Sequence, residues 1–377
     1  MITYKEGNPS MTLDTAAVGT KARALQFLSV AAIAVLALTA CNGDNGDDED
    51  ADAGNNGDAD VTESDDDGDA DDEDAEGDDA EASGPVTIED DHGTHEINLE
   101  EVESIGAFDN RSFRTLEAFG VDLSVAARSL MDAEVHGYAE DEDILDTGNH
   151  REPDFEQVVA AEPQLIINGQ RYSQFFEDMQ SLVPEAAILE FDEEVNDPDT
   201  FVDGLVNKTL SLGEVFGAEA AAQEIVDEFQ TEVDRVNDLY DSESTVMGLM
   251  TSGGDISYTA PGTGRTIGPL FTVFDLAPAL EIDAEDESHG DDISVEAIAD
   301  ADPDWLLVID RDARLDADDP DCQPADELLG DSPALQDVTA IQEDNIVFTP
   351  DEMYLTEDIQ AYTEFLREFA DALEAAE

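Results

Sequence analysis

Hydrophobic and polar positions alternate in two registers along this chain. Short apolar runs bounded by Gly, Pro, Asn or Asp predict strands over 86–88, 95–99, 164–167, 187–191, 245–250, 256–259, 305–309 and 345–348. Between them, apolar positions three and four apart predict helices over 111–119, 154–161, 174–182, 201–215, 266–275, 294–299 and 357–375. Strands interleaved with helices of this length predict an α/β fold with largely parallel sheets. One element differs from the rest. Residues 218–240 contain no Gly or Pro and predict a helix about 34 Å long, enough to bridge two lobes.

The two halves flanking that helix echo each other. Glu156 stands seven residues before Pro163, and Glu296 seven residues before Pro303. In both places a short helix feeds an apolar strand. The expected fold is therefore α/β, with two Rossmann-like lobes joined by a single long helix and a ligand cleft between the lobes. The expected bounds are 86–216 for the first lobe, 217–241 for the connecting helix and 242–377 for the second.

The N-terminal part reads as an address. Lys21 and Arg23 precede an apolar run over 25–40, shorter than the roughly 18–20 residues that span a bilayer. The run ends in Leu38-Thr39-Ala40-Cys41, which resembles the bacterial lipobox and marks Cys41 for lipidation. Residues 1–20 add nothing to this signal, so Met11 is an alternative start. From 42 to 85 the chain has 21 acidic residues and no basic one, a composition that stays disordered. As a coil it spans roughly 35–40 Å, a tether between membrane and domain. Its Asp-Gly spacing misses the ends of a calcium loop. Processing would leave Cys322 as the single thiol, read as a loop cysteine, with no intrachain disulfide.

Charge changes how the rest is read. The whole chain has 98 acidic residues against 14 Lys and Arg, a formal charge of −84. Nucleic acid is excluded as a partner, because phosphate binding needs clustered cations. Residues 86–377 hold 75 acids against one lysine, Lys208, and ten arginines. Acid spread this evenly fits a protein kept soluble in brine. Cations are so scarce that an arginine away from a surface helix is informative.

Several motifs lie at junctions. Asn168-Gly-Gln-Arg171 follows a strand, and Gly264-Arg265 opens a helix. Ser288-His289-Gly290-Asp-Asp-Ile293-Ser294-Val-Glu296 leads to Pro303-Asp304-Trp-Leu-Leu-Val-Ile-Asp310-Arg311-Asp312, and Met353-Tyr354-Leu355 precedes the last helix. From about Val86 onward the chain resembles substrate-binding lipoproteins of ABC importers, in the helical-backbone class (class III) that binds iron–siderophores, cobalamin and haem. The motifs are similar to the catecholate branch, which takes petrobactin and enterobactin fragments.

That resemblance implies a monomeric receptor, held by a lipid anchor at the extracytoplasmic face of the cell membrane. It implies no permanently bound cofactor, a ferric siderophore as transported ligand, and an ABC permease as partner. Arg171, Arg265 and Arg311 would bind the ligand, His289 and Tyr354 would ligate its Fe(III), and Glu156 and Glu296 would dock on the permease. The chemistry is consistent: guanidinium is a permanent planar cation that stacks on aromatic rings, and phenolate oxygen suits hard Fe(III). The resemblance is imperfect, because the stretch after Tyr354 lacks the family's glycines, and Arg314 is a substitute candidate. Arg111 and Arg114 open a helix near the cleft rim, an electrostatically poor place for a cation. Tyr172 and Tyr258 are further candidates for lining the cleft, whereas His92, His95, His136 and His150 read as structural or solvated.

Other ligands, namely cobalamin, haem or a ferric hydroxamate, are the alternatives within binding proteins. A metal-assisted hydrolase lacks support, since no His-x-His, His-Glu-x-x-His or Gly-x-Ser-x-Gly pattern occurs. A structural surface lipoprotein does not account for the paired Glu–Pro segments.

Overall fold

A computed structural model describes residues 84–133, 135–282, 288–315 and 323–376. The expected signal segment, Cys41, the acidic tether up to residue 83, Cys322 and the Arg314 side chain lie outside the described part. The described chain opens with an antiparallel hairpin, β1 (Val86–Asp90) and β2 (Gly93–Ile97). Asp90 holds its turn, accepting from the amides of His92 and Gly93.

The first lobe is a parallel sheet of β3 (Ile105–Ala107), β4 (Val125–Ala126), β5 (Leu145–Asp146), β6 (Leu165–Ile167) and β7 (Ala187–Leu189), in the order β5-β4-β3-β6-β7. Helices α1 (Phe113–Ala118), α2 (Phe155–Ala161) and α3 (Phe176–Leu182) connect the strands. All three residues of β6 are buried, as expected for a parallel strand covered on both faces. Strands β3 to β5 are two or three residues long, too short to show a period, and pattern reading did not predict them.

The chain crosses to the second lobe through α4 (Phe201–Phe216) and α5 (Glu219–Leu239). Leu212 and Val215 of α4 join the first lobe's core, whereas Phe201 and Leu205 join the second's. The long helix expected over 218–240 is α5, and its buried Val226, Phe229, Val233 and Val236 all belong to the second core. Gly213 lets the pair approach closely: a Cβ there would sit 2.5 Å from the Ala222 side chain.

The second sheet contains β8 (Thr245–Ser252), β9 (Asp255–Thr259), β10 (Ala277–Pro278), β11 (Asp291–Asp292), β12 (Trp305–Asp310) and β13 (Ile346–Phe348). Its order is β11-β9-β8-β12-β13, with β10 also on β8; β8, β10, β12 and β13 pair in parallel, β9 pairs antiparallel with β8, and β11 pairs antiparallel with β9, so that β9 alone runs against the rest. Around it lie α6 (Gly268–Val273), α7 (Val295–Ala301), α8 (Arg311–Leu315), α9 (Ala325–Gly330), α10 (Thr339–Glu343), α11 (Met353–Thr356) and α12 (Ile359–Ala376).

The Glu–Pro echo is a structural repeat. Helices α2 and α7 each have seven residues and are capped by the side chains of Asp154 and Ser294. Each ends in a left-handed residue, Glu162 or Asp302, before the proline. The next side chain then ties the coming strand to its neighbour. Gln164 accepts from the Glu103 and Ser104 amides, and Asp304 accepts from the Thr245 amide and hydroxyl.

Polar contacts join the lobes beside the cleft. Asn110 donates to the carbonyls of Leu355 (2.6 Å) and Thr356 (3.2 Å). Arg114, from α1, reaches Glu364 at 2.6 Å, Glu352 at 3.5 Å and Asp358 at 3.7 Å. Asp358 is fully buried and caps α12 by accepting from the Ala361 amide. Burial pushes its carboxyl up to about 7, with Glu364 and Glu352 adding and Arg114 and the Ala361 amide opposing. A carboxyl raised above its unfolded value contributes stability that is full below about pH 4 and lost as pH rises through about 7. Asp358→Asn keeps a good capping residue and should flatten this decline. Denaturant unfolding should find the variant about 1–3 kcal/mol more stable than the parent near pH 8; parallel declines in the two proteins would remove Asp358 as the responsible group.

Candidate ligand-binding site

A cleft of about 670 Å³ lies between the lobes. The first lobe lines it with segments that follow strands: Arg111 after β3, His150 and Arg151 after β5, and Gln170 and Arg171 after β6. Strand order reverses between β3 and β6, so their carboxyl ends flank a topological switch point, the usual crevice for ligands in open α/β sheets. The second lobe contributes Arg265 and Thr266 from the turn into α6, His289, and Tyr354 and Glu357 around α11. Gly264 makes the Arg265 turn possible, since a Cβ there would lie 2.6 Å from the backbone N and O of Ala260.

Among the described residues, four arginines and one acid line this cleft. Two other concavities of comparable size have the opposite character. Among the described residues, one has Asp255, Asp292 and Asp331 and no cation in its wall, and the other has seven acids and Lys208. Against a net charge of −64 for residues 86–377, the inter-lobe cleft is a local positive well. Low-dielectric walls focus such a field.

Tyr354 lies where the arginines meet. The guanidinium carbons of Arg265, Arg311 and Arg171 lie 4.4, 5.4 and 5.8 Å from its ring centroid, within cation–π range. Arg171 and Arg265 also donate to its carbonyl, at 3.0 and 2.7 Å. Arg311 comes from the end of β12, bonded to the Ser252 hydroxyl at 2.6 Å, and is not itself among the lining residues. The Nε groups of Arg171, Arg311 and Arg111 are buried without a hydrogen-bond partner. Burial pushes the Arg171 guanidinium down to about 10, with Arg265 and Arg111 adding repulsion that Glu357 and Tyr354 only partly offset. Arg171 is thus held short of counter-charge, and an entering anion would supply it.

Glu357 was expected to begin the last helix. It instead occupies a left-handed position, φ 45°, between α11 and α12, so the helix starts at Ile359. Its buried carboxylate accepts from Arg265 Nε and Nη2 at 3.0 and 2.9 Å, Thr266 Oγ1 at 2.7 Å and Gln170 Nε2 at 2.8 Å. Burial alone would raise its pKa, but Arg265, Arg111 and Arg171 and the Thr266 hydroxyl bring it down to about 2.

Buried charge supports the floor. Lys208, from α4, pairs with Asp109 and lies 3.6 Å from Asp192. Asp109 accepts from the Arg111 amide, and Asp192 from the Gln170 amide and the Ser173 hydroxyl. Asp192 also lies 3.6 Å from Arg111, whose Nη1 donates to Asn196. Burial would raise the Asp192 carboxyl, but Lys208 and Arg111 hold it below the ordinary carboxylate range.

Of the residues picked from sequence, Arg171, Arg265, His289 and Tyr354 line the cleft, and Arg311 touches the tyrosine ring. Glu156 and Glu296 are exposed in the first turns of α2 and α7. Tyr172 and Tyr258 do not line the cleft. Both are core residues, with hydroxyls donated to the Gly148 and Leu280 carbonyls. His150, read as structural or solvated, is a cleft residue; burial and then Arg171, Arg151 and Arg265 lower its pKa, which favours the neutral ring. Arg151 and Glu357 were missed. The scarcity of cations was a usable signal for Arg151. Among the described residues, no group of three or more His, Cys, Asp or Glu is arranged to hold a metal ion.

Comparison with known proteins bears on the family and the fold. The model of the periplasmic binding protein family matches residues 105–353. The ferric-anguibactin-binding protein FatB of Vibrio anguillarum is 28% identical over 234 residues, covering 62% of this chain and 70% of FatB. The petrobactin-binding protein YclQ of Bacillus subtilis is 22% identical over 278 residues, covering 72% and 83%. The YclQ crystal structure superposes with a TM-score of 0.64, covering 77% of this chain and 99% of that one at 20% identity. The siderophore-binding protein BauB, solved with two acinetobactin molecules and ferric iron, gives 0.65 over 77% and 98%, also at 20% identity. Both are likenesses of fold.

Proposed function

The chain belongs to the periplasmic binding protein family, and we propose that it is the extracytoplasmic receptor of an ABC importer, capturing an anionic ferric siderophore of the catecholate type. The observation that carries this reading is the meeting of Arg171, Arg265 and Arg311 on Tyr354, beside a cleft whose wall is cationic in an otherwise acidic protein. The names of FatB and YclQ, a ferric-anguibactin and a petrobactin binder, point the same way. A neutral ferric hydroxamate has no use for so much positive charge. Cobalamin, neutral overall, does not account for arginines gathered around a phenol.

In this reading Arg171, Arg265 and Arg311 face the ligand's anionic oxygens and ring planes. Tyr354 and His289 complete the coordination of Fe(III) when the siderophore supplies four donors, phenolate oxygen being the harder and better matched of the two. Glu156 and Glu296, at matching positions in the two lobes, dock on the permease. Cys41 holds the lipid anchor, residues 42–85 are the tether, and the protein acts as a monomer with lobes over 86–216 and 242–377. No bond is made or broken in the ligand.

The test is quenching of the single tryptophan, Trp305, by a ferric bis-catecholate at high salt. Saturable binding that a neutral ferric hydroxamate does not reproduce is expected; equal binding of the two would move the assignment to another ligand. Tyr354→Phe should shift the visible charge-transfer band of the bound ferric complex, and an identical band would remove the phenol from the iron.

A further inference from the structure

Among the described residues, Glu357 is the one acid in the wall of a cleft whose other charged groups are arginines. Its carboxylate is fully engaged, with four hydrogen bonds from three residues in the two lobes. Two of these come from Arg265, whose Nε and Nη2 form the edge that would clasp a carboxylate or catecholate in a paired contact. Nη2 is further shared with the Tyr354 carbonyl. Arg265 therefore offers a ligand its Nη1, while its flat face covers the Tyr354 ring. Glu357 thus stands in the cleft as a resident anion, already occupying one of the positions that ligand oxygens would take.

Resting on the ferric catecholate reading above, we infer that Glu357 is a specificity-determining residue: by filling the Arg265 fork and cancelling one positive charge, it makes the cleft select ferric catecholates of low net charge. Fe(III) with two catecholates carries a single negative charge and keeps two coordination positions open. With three catecholates it carries three negative charges and is coordinatively full. Each added negative charge meets the Glu357 carboxylate at close range in a partly desolvated cleft, where charge interactions are several times stronger than in water.

The test measures dissociation constants of the parent, Glu357→Gln and Thr266→Val for two synthetic ferric complexes, one with a linear bis-catechol amide and one with a tripodal tris-catechol amide, at one fixed salt concentration. The readout is the ratio of the two constants within each protein, which does not depend on the fraction folded. The parent should favour the bis-catecholate, and Glu357→Gln should move the ratio toward the tris-catecholate by about tenfold or more. Thr266→Val removes one hydrogen bond to the carboxylate but leaves its charge, so its ratio should stay within about twofold of the parent's. A parent preference for the tris-catecholate, an unmoved ratio in Glu357→Gln, or an equal shift in Thr266→Val would overturn the inference. If the parent binds neither complex, the catecholate reading itself fails.

Discussion

Replacing Arg171 by Ala should weaken binding of an anionic ferric catecholate roughly 10- to 100-fold, the effect of losing a charge-assisted contact of about 1.5–3 kcal/mol. The empty protein should become no less stable. The two halves of this expectation share one cause. The Arg171 side chain is half-buried, its enclosed Nε has no partner, and Arg265 and Arg111 repel it. The fold therefore gains little from that charge until an anion arrives. Affinity by Trp305 quenching and stability by denaturant titration give the two numbers. Loss of stability with unchanged affinity would make Arg171 a structural ion-pair residue and remove it from the ligand site.

Lys208→Met should cost about 3–5 kcal/mol of stability, the usual penalty for removing one partner of a buried pair. Methionine matches the length of the lysine stem, so the loss is that of charge. Asp109 and Asp192 would stay buried with the ammonium gone. The damage should reach the cleft as well, because these carboxylates hold the backbone amides of Arg111 and Gln170. Denaturant unfolding at high salt measures the cost, and a change below about 1 kcal/mol would mean the two aspartates find other partners or protons.

Much of this architecture was legible in the chain because repetition carried it. The matched Glu-to-Pro spacing marked two equivalent helix–strand units, and the structure repeats even the side-chain tie from Gln164 and Asp304. The family resemblance named Arg171, Arg265 and Arg311, and the scarcity of cations in a −64 domain made arginines at such junctions informative. What failed depended on tertiary packing. Strands β3 to β5 draw their stability from neighbours in a parallel sheet rather than from a local pattern. Tyr172 follows Arg171 in sequence, but its side chain turns into the core, where its hydroxyl donates to the Gly148 carbonyl and lies 3.1 Å from the Thr147 hydroxyl. Glu357 looked like the first residue of a long amphipathic helix. A left-handed backbone at that position separates α11 from α12 and delivers its carboxylate to Arg265, Thr266 and Gln170. Nothing in local propensity marks a glutamate for that conformation.

The most direct test of the account is a crystal structure of the protein with a ferric bis-catecholate, with data collected at the iron absorption edge. The account predicts one strong anomalous peak in the cleft, within bonding distance of the Tyr354 hydroxyl, with Arg171 and Arg265 on the catecholate oxygens. Iron found only on surface carboxylates, or catecholate bound away from Tyr354, would contradict it.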